Sequence, residues 1–250
     1  MRYLLYLLFA VCLPFASFAE DNLSKAPDVS NLEELTVENL ERAAALWQVE
    51  DVEKLQQKGF DFNQKDGAGN TLLYDVLSQN QNDGVAEKLI EYGADVNTPS
   101  ASGMLPINVT TSKANELQLQ IMMMETMGLD TSDPKVKTEL EKNVFYEMER
   151  MLKSAELLIK SGADINKESA LGTPLMNAVT NLWNVDIVDL LLKAGADINK
   201  QDKDGRTALF YAYASGNDDF VTILIKAGAN VEIKDKDGLT YLEVEKLVVE

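Results

Sequence analysis

The side chains able to do chemistry in this chain are mostly carboxylates: Asp and Glu number 41 against 23 Lys and Arg, for a net charge of −18. There is no histidine, and the one cysteine is Cys12. The commonest general base and metal ligand is therefore missing. Two stretches, Asp202-Lys-Asp-Gly205 and Asp235-Lys-Asp-Gly238, look at first like calcium loops. Setting Gly205 at the glycine position of such a loop puts Lys200 first and Tyr211 last; the Gly238 copy puts Ile233 and Val244 there. Neither has the opening carboxylate or the closing bidentate Glu, so both read as turns. No Gly-rich phosphate loop and no Ser/His/Asp set occurs. No cofactor or metal is expected, and the carboxylates read as a solvated surface rather than a catalytic pair.

The charge bears on partners. So acidic a protein repels the phosphates of nucleic acids and anionic lipids, and accommodates a basic protein. Its alternative use is solubility alone. Residues 1–19 read as a secretory signal peptide: Arg2 is the positive start, Leu4 to Leu13 the apolar run, and Ser17-Phe-Ala19 the small-residue cleavage site. The run is too short to span a bilayer. A lipoprotein signal fits poorly, because Val11 precedes Cys12 where a small residue belongs. Cleavage would leave a periplasmic chain of 250 − 19 = 231 residues with no cysteine and a charge of −18 − 1 = −19. Disulfides and thiolate sites would then be excluded.

The chain after the leader is organised by a repeat. Residues 20–31 form a polar lead-in containing Pro27, and apolar periodicity begins at Leu32. Gly-Ala-Asp or a variant follows an apolar helical stretch at Gly93, Gly162, Gly195 and Gly228, with Gly59-Phe-Asp-Phe-Asn63 as a worn copy. The glycine steps are 34, 69, 33 and 33. The helix starts at Thr71, Leu105, Thr173, Thr207 and Thr240 step by 34, 68, 34 and 33. Glycine just past a helix end takes the left-handed conformation without a Cβ penalty. A threonine before an apolar run is an N-cap whose hydroxyl can accept an orphan N–H, as expected of Thr207.

A 33-residue period of one turn and two short helices resembles the ankyrin repeat. The residues that carry the resemblance are Asp202-Lys-Asp-Gly-Arg-Thr-Ala-Leu-Phe-Tyr-Ala212, with Phe220-Val-Thr-Ile-Leu-Ile-Lys226 and Gly228-Ala-Asn230. Thr173-Pro-Leu-Met-Asn-Ala178 with Ile187 to Lys193 and Gly195-Ala-Asp-Ile-Asn199 is a second good copy. The resemblance implies an all-α ankyrin-repeat solenoid over residues 32–250, a degenerate capping unit followed by five repeats, the last truncated. The family's usual His is replaced by Tyr74, Asn108, Met176, Phe210 and Glu243, so the array is expected to lean on apolar packing.

The doubled step between Gly93 and Gly162 marks a helical insertion at about residues 111–150. Leu117, Ile121, Met124 and Met127 run to Gly128; Asp133-Pro134 then opens a second helix through Val136, Leu140, Val144, Met148, Met151, Ala155 and Leu158. The expectation is a long antiparallel hairpin with a Met-rich end, Ile121 to Leu129, where Met122 or Met123 must face outward.

An array without a nucleophile–base set is a binding scaffold. The resemblance implies partner contacts on the concave face: Arg206, Phe210 and Tyr213 in one repeat, Met176 and Asn177 in another, and Tyr74 earlier. Phe210 and Tyr213 suit core and contact equally, and Trp183 suits either an anchor or a cap on the adjacent repeat. The leading expectation is a periplasmic protein that restrains a basic exported enzyme or toxin, as an inhibitor or immunity protein does. The second is a structural or chaperone-like envelope scaffold that grips apolar segments with the Met-rich hairpin. Asn22-Leu-Ser24 and Asn108-Val-Thr110 are sequons, relevant only to a eukaryotic secretory route.

Overall fold

A computed structural model describes residues 47–79, 83–112, 134–180 and 185–244. The leader, the lead-in, the Met-rich end and Trp183 lie outside the described residues. The helices are α1 (Val49–Gln57), α2 (Leu72–Gln79), α3 (Asp83–Glu91), α4 (106–112), α5 (Pro134–Lys160), α6 (Pro174–Ala178), α7 (Val185–Lys193), α8 (Ala208–Ala214) and α9 (Asp218–Lys226). Among the described residues there is no strand, only the isolated bridges Lys65 to Thr71 and Ser169 to Gly172. The fold is an all-α solenoid in which α2, α4, α6 and α8 are short first helices, each followed by a second helix.

The period has a physical cause at the end of each second helix. Gly59, Gly93, Gly162, Gly195 and Gly228 all take positive φ, between 75° and 99°. That turn lets Ala94, Ala163, Ala196 and Ala229 donate back to the carbonyls of Leu89, Leu158, Leu191 and Leu224, each at 2.9 Å. Orphan carbonyls are thus satisfied by the backbone itself. The leucines so anchored are in register with one another and with Leu55, and all five are 0% exposed.

The asparagine that ends each junction motif ties one repeat to the next. Asn63 Nδ2 donates to Gly93 O at 2.9 Å, and its Oδ1 accepts the Asp95 N–H at 2.7 Å. Asn97 does the same to Gly162 O and Asp164 N–H, at 3.0 and 2.7 Å. Asn166 repeats it on Gly195 and Asp197, and Asn199 accepts the Asn230 N–H. The Asn97 clamp spans the inserted segment, so the insertion leaves the stacking of repeats intact. Asn97→Ala removes two hydrogen bonds and should cost about 1–2 kcal/mol. Urea denaturation checks this; a midpoint shift no larger than that of exposed Gln56→Ala would refute it.

Pro134 opens α5, whose 27 residues rise about 40 Å, while α7 and α9 have 9 each. Residues 152–160 of α5 are in register with α7, and 134–151 run beyond it. This helix also joins the two apolar cores. Ala155 and Leu158 pack with Trp47, Leu73, Leu89 and Leu105, whereas Met151 packs with Leu175, Val188, Leu209 and Phe220.

Two expectations about helix starts need correction. Thr207 sits at the N-cap of α8, but its hydroxyl makes no capping bond; the Phe210 N–H goes to the Thr207 carbonyl at 3.0 Å instead. Thr71 and Thr173 do cap, accepting the N–H of Tyr74 and Met176 at 3.4 and 3.3 Å. The residues standing in for the family's His are also not purely apolar filler. Asn108 Oδ1 accepts the Leu105 N–H at 3.1 Å, Met176 Sδ the Thr173 N–H at 3.4 Å, and Glu243 Oε2 the Thr240 N–H at 2.8 Å. The first two satisfy the donor at a helix entrance, the second half of a capping box, and Glu243 does the same for the turn that follows Thr240.

Candidate partner-binding surface

The turns before the first helices are built from Asp66, Ser100, Ser169, Asp202 and Asp235, each three residues ahead of a glycine at positive φ. Asp202 Oδ1 accepts the Asp204 and Arg206 N–H groups at 2.8 and 2.9 Å, and Oδ2 accepts the Tyr211 hydroxyl at 2.6 Å. Asp235 accepts the N–H of Asp237 and Leu239, both at 3.0 Å. These carboxylates serve their own turns, which accords with the failed calcium-loop alignment. Burial and then the Asp202 hydrogen bond push the Tyr211 hydroxyl well above its ordinary pKa. The Thr98 hydroxyl and the Asn97 N–H hold the Asp95 carboxyl below the usual range.

Successive hairpins are linked along this edge. Lys236 N–H donates to the Asp204 carbonyl at 2.9 Å, and the Lys236 ammonium pairs with the Asp204 carboxylate. Arg206 Nε lies 3.8 Å from Asp235 Oδ2, with the Arg206 side chain 42% exposed. Arg206 therefore stands on the hairpin edge with its far end open to solvent. Tyr74 and Tyr213 are half-buried, and Tyr213 packs edge-on against Tyr241 at 5.6 Å.

Three other residues expected at this surface are enclosed. Met176 and Phe210 are 1% and 2% exposed and belong to the second core. Asn177 is buried, its Nδ2 donating to Thr111 Oγ1 at 2.7 Å in the preceding repeat. The helix position of Met176 and Phe210 also buries Asn108, because it lies inside the stack rather than on the concavity. Burial of Asn108 and Thr110 likewise closes that sequon in the folded chain. Trp183, Met122 and Met123 lie outside the described residues. The sequence reading missed Leu171, Leu239 and Leu242, which are 42%, 38% and 61% exposed. Their only sequence signal was a large apolar residue at the hairpin or beside the last N-cap.

The family model for ankyrin repeats matches residues 147–235, in 3 copies. No curated protein matches the chain. Over the matched residues the chain is an ankyrin-repeat solenoid, and the same glycine and asparagine geometry continues back to Gly59 and Asn63. Ankyrin repeats of this kind suggest a protein–protein interaction scaffold. No described helix is long and apolar enough to cross a membrane.

Proposed function

We propose that the protein is a periplasmic, non-enzymatic scaffold that binds a basic exported protein and restrains it, as an inhibitor or an immunity protein does. The observation that carries this reading is a repeat array, a fold built for protein contact, on a chain of net charge −18. A field of that sign steers a basic partner inward and raises its association rate. The signal-peptide pattern of residues 1–19 supports export. Arg206, Tyr213 and Tyr74 remain as contacts on the hairpin and first-helix side.

Co-purification from periplasm tests this. A basic exported protein should be retained at about 0.05 M salt and largely released at about 0.5 M, because screening shortens the reach of exposed charges. Recovery of no partner even at low salt would defeat the reading. The chaperone-like alternative is favoured by one observation, the 69% and 51% exposure of Phe145 and Tyr146 on α5. Apolar gripping there would survive high salt, which separates the two.

A further inference from the structure

Leu242 is a core residue in the wrong environment. Its counterparts two residues after the helix starts at Thr71, Leu105, Thr173 and Thr207 are Leu73, Ile107, Leu175 and Leu209, all at most 1% exposed. Leu242 holds the same place after Thr240 and is 61% exposed. Leu239, three residues earlier, follows Gly238 as Arg206 follows Gly205, so it is the next member of the hairpin row that includes Arg206. Between them Tyr241 is buried against Tyr213. The half-buried Tyr213, packed on Tyr241, and the exposed Leu239 and Leu242 on either side of Tyr241 in the sequence all belong to the last described repeats.

The charges around these residues are unequal. Glu232, Asp237 and Glu243 are exposed carboxylates, and the Thr240 N–H and hydroxyl bonded to Glu243 favour its ionised form. On the cationic side, Lys236 is paired with Asp204 and Arg206 with Asp235, which leaves Lys234 among the described residues. An apolar centre with a charged rim is the anatomy of a protein interface. A second copy of this chain would bring the same carboxylates face to face, which costs free energy.

We infer that Leu239 and Leu242, flanked by Tyr213, form the docking centre for a partner whose apolar patch is rimmed by Lys and Arg. This rests on the basic-partner reading and locates it at the last described repeat. The partner's apolar side chains take the place that a following repeat takes over Leu209, and its cations meet Glu232, Asp237 and Glu243.

The probe is a synthetic amphipathic helix of Leu and Lys, with two controls, Lys→Glu throughout and Leu→Ser throughout. Fluorescence anisotropy with the full chain at low salt should show binding of the Leu/Lys peptide and of neither control. Leu242→Asp and Leu239→Asp should each weaken binding about tenfold or more, the loss typical of an interface anchor, while Gln56→Ala, exposed on α1, leaves it unchanged. Both Asp variants should keep the wild-type Tm, because the replaced side chains face solvent. Undiminished binding by Leu242→Asp overturns the inference, and if that binding is salt-sensitive the basic-partner reading stands. Failure of the wild type to bind the Leu/Lys peptide also overturns the inference, and periplasmic co-purification then decides the broader reading. A wild-type dimer that Leu242→Asp converts to monomer in sedimentation assigns the surface to a second copy and overturns it. A Tm loss in Leu242→Asp as large as in Leu209→Asp shows cover by the chain itself and does the same.

Discussion

Replacing Leu224 by Ala is expected to destabilise the protein by about 2–5 kcal/mol. Leu224 is 0% exposed in α9 and packs in the second core with Leu191, Leu209 and Phe220. Truncation removes apolar atoms from water-free surroundings and leaves a cavity that neighbours at close packing fill only in part. The neighbouring Ile225→Ala is the control, since Ile225 is 40% exposed on the same helix. Guanidinium denaturation followed by circular dichroism compares the two. Equal shifts for Leu224→Ala and Ile225→Ala would contradict the burial assigned to Leu224. The central equivalent, Leu158→Ala, should spread its effect further, because α5 belongs to both cores while α9 belongs to one. In a repeat array each unit is stabilised by its neighbours, so a central defect uncouples more of the stack.

The second large effect is expected at Gly205, and its size is legible only against Gly238. The two occupy the same turn position with nearly the same backbone, φ 78° and 79°. A side chain at either strains the left-handed conformation by about 1–2 kcal/mol. At Gly238 an added Cβ meets nothing within 4 Å, whereas at Gly205 it comes within 3.0 Å of Lys236 N and 3.1 Å of Asp235 Cα. Those atoms are backbone, held by the Lys236 N–H to Asp204 hydrogen bond, and cannot swing aside. Overpacking adds about 1–3 kcal/mol, so Gly205→Ala should cost clearly more than Gly238→Ala. Thermal and chemical unfolding of the pair measure the difference. Identical losses would mean that the hairpins are not in contact.

Residues that a conformational rule governs were readable in advance. Gly59, Gly93, Gly162, Gly195 and Gly228 all take the left-handed geometry expected of them, and Pro134 begins the long helix as its missing N–H allows. Asp202 and Asp235 accept the backbone N–H groups of their own turns, as expected of turn residues. The surface was harder to read. Met176, Asn177 and Phe210 were expected as contacts and are enclosed; Leu242, unremarked in the sequence, holds the place of buried residues in the other repeats and is open. The family match over 147–235 covers the regular repeats and leaves out the worn junction at Gly59 and most of the insertion.

By itself, the sequence determined the period, the helix ends, the position of the insertion and the acidic charge. Each depends on local chemistry: where glycine alone fits the backbone, where proline loses nothing, and how many carboxylates the chain carries. Only the tertiary structure decided which face of each first helix is covered. It also showed Asn97 bridging the insertion and left Leu239 and Leu242 uncovered beside Tyr213. Those outcomes depend on what the neighbouring repeat places against a side chain, a contact about 33 residues away in the period that no local pattern encodes.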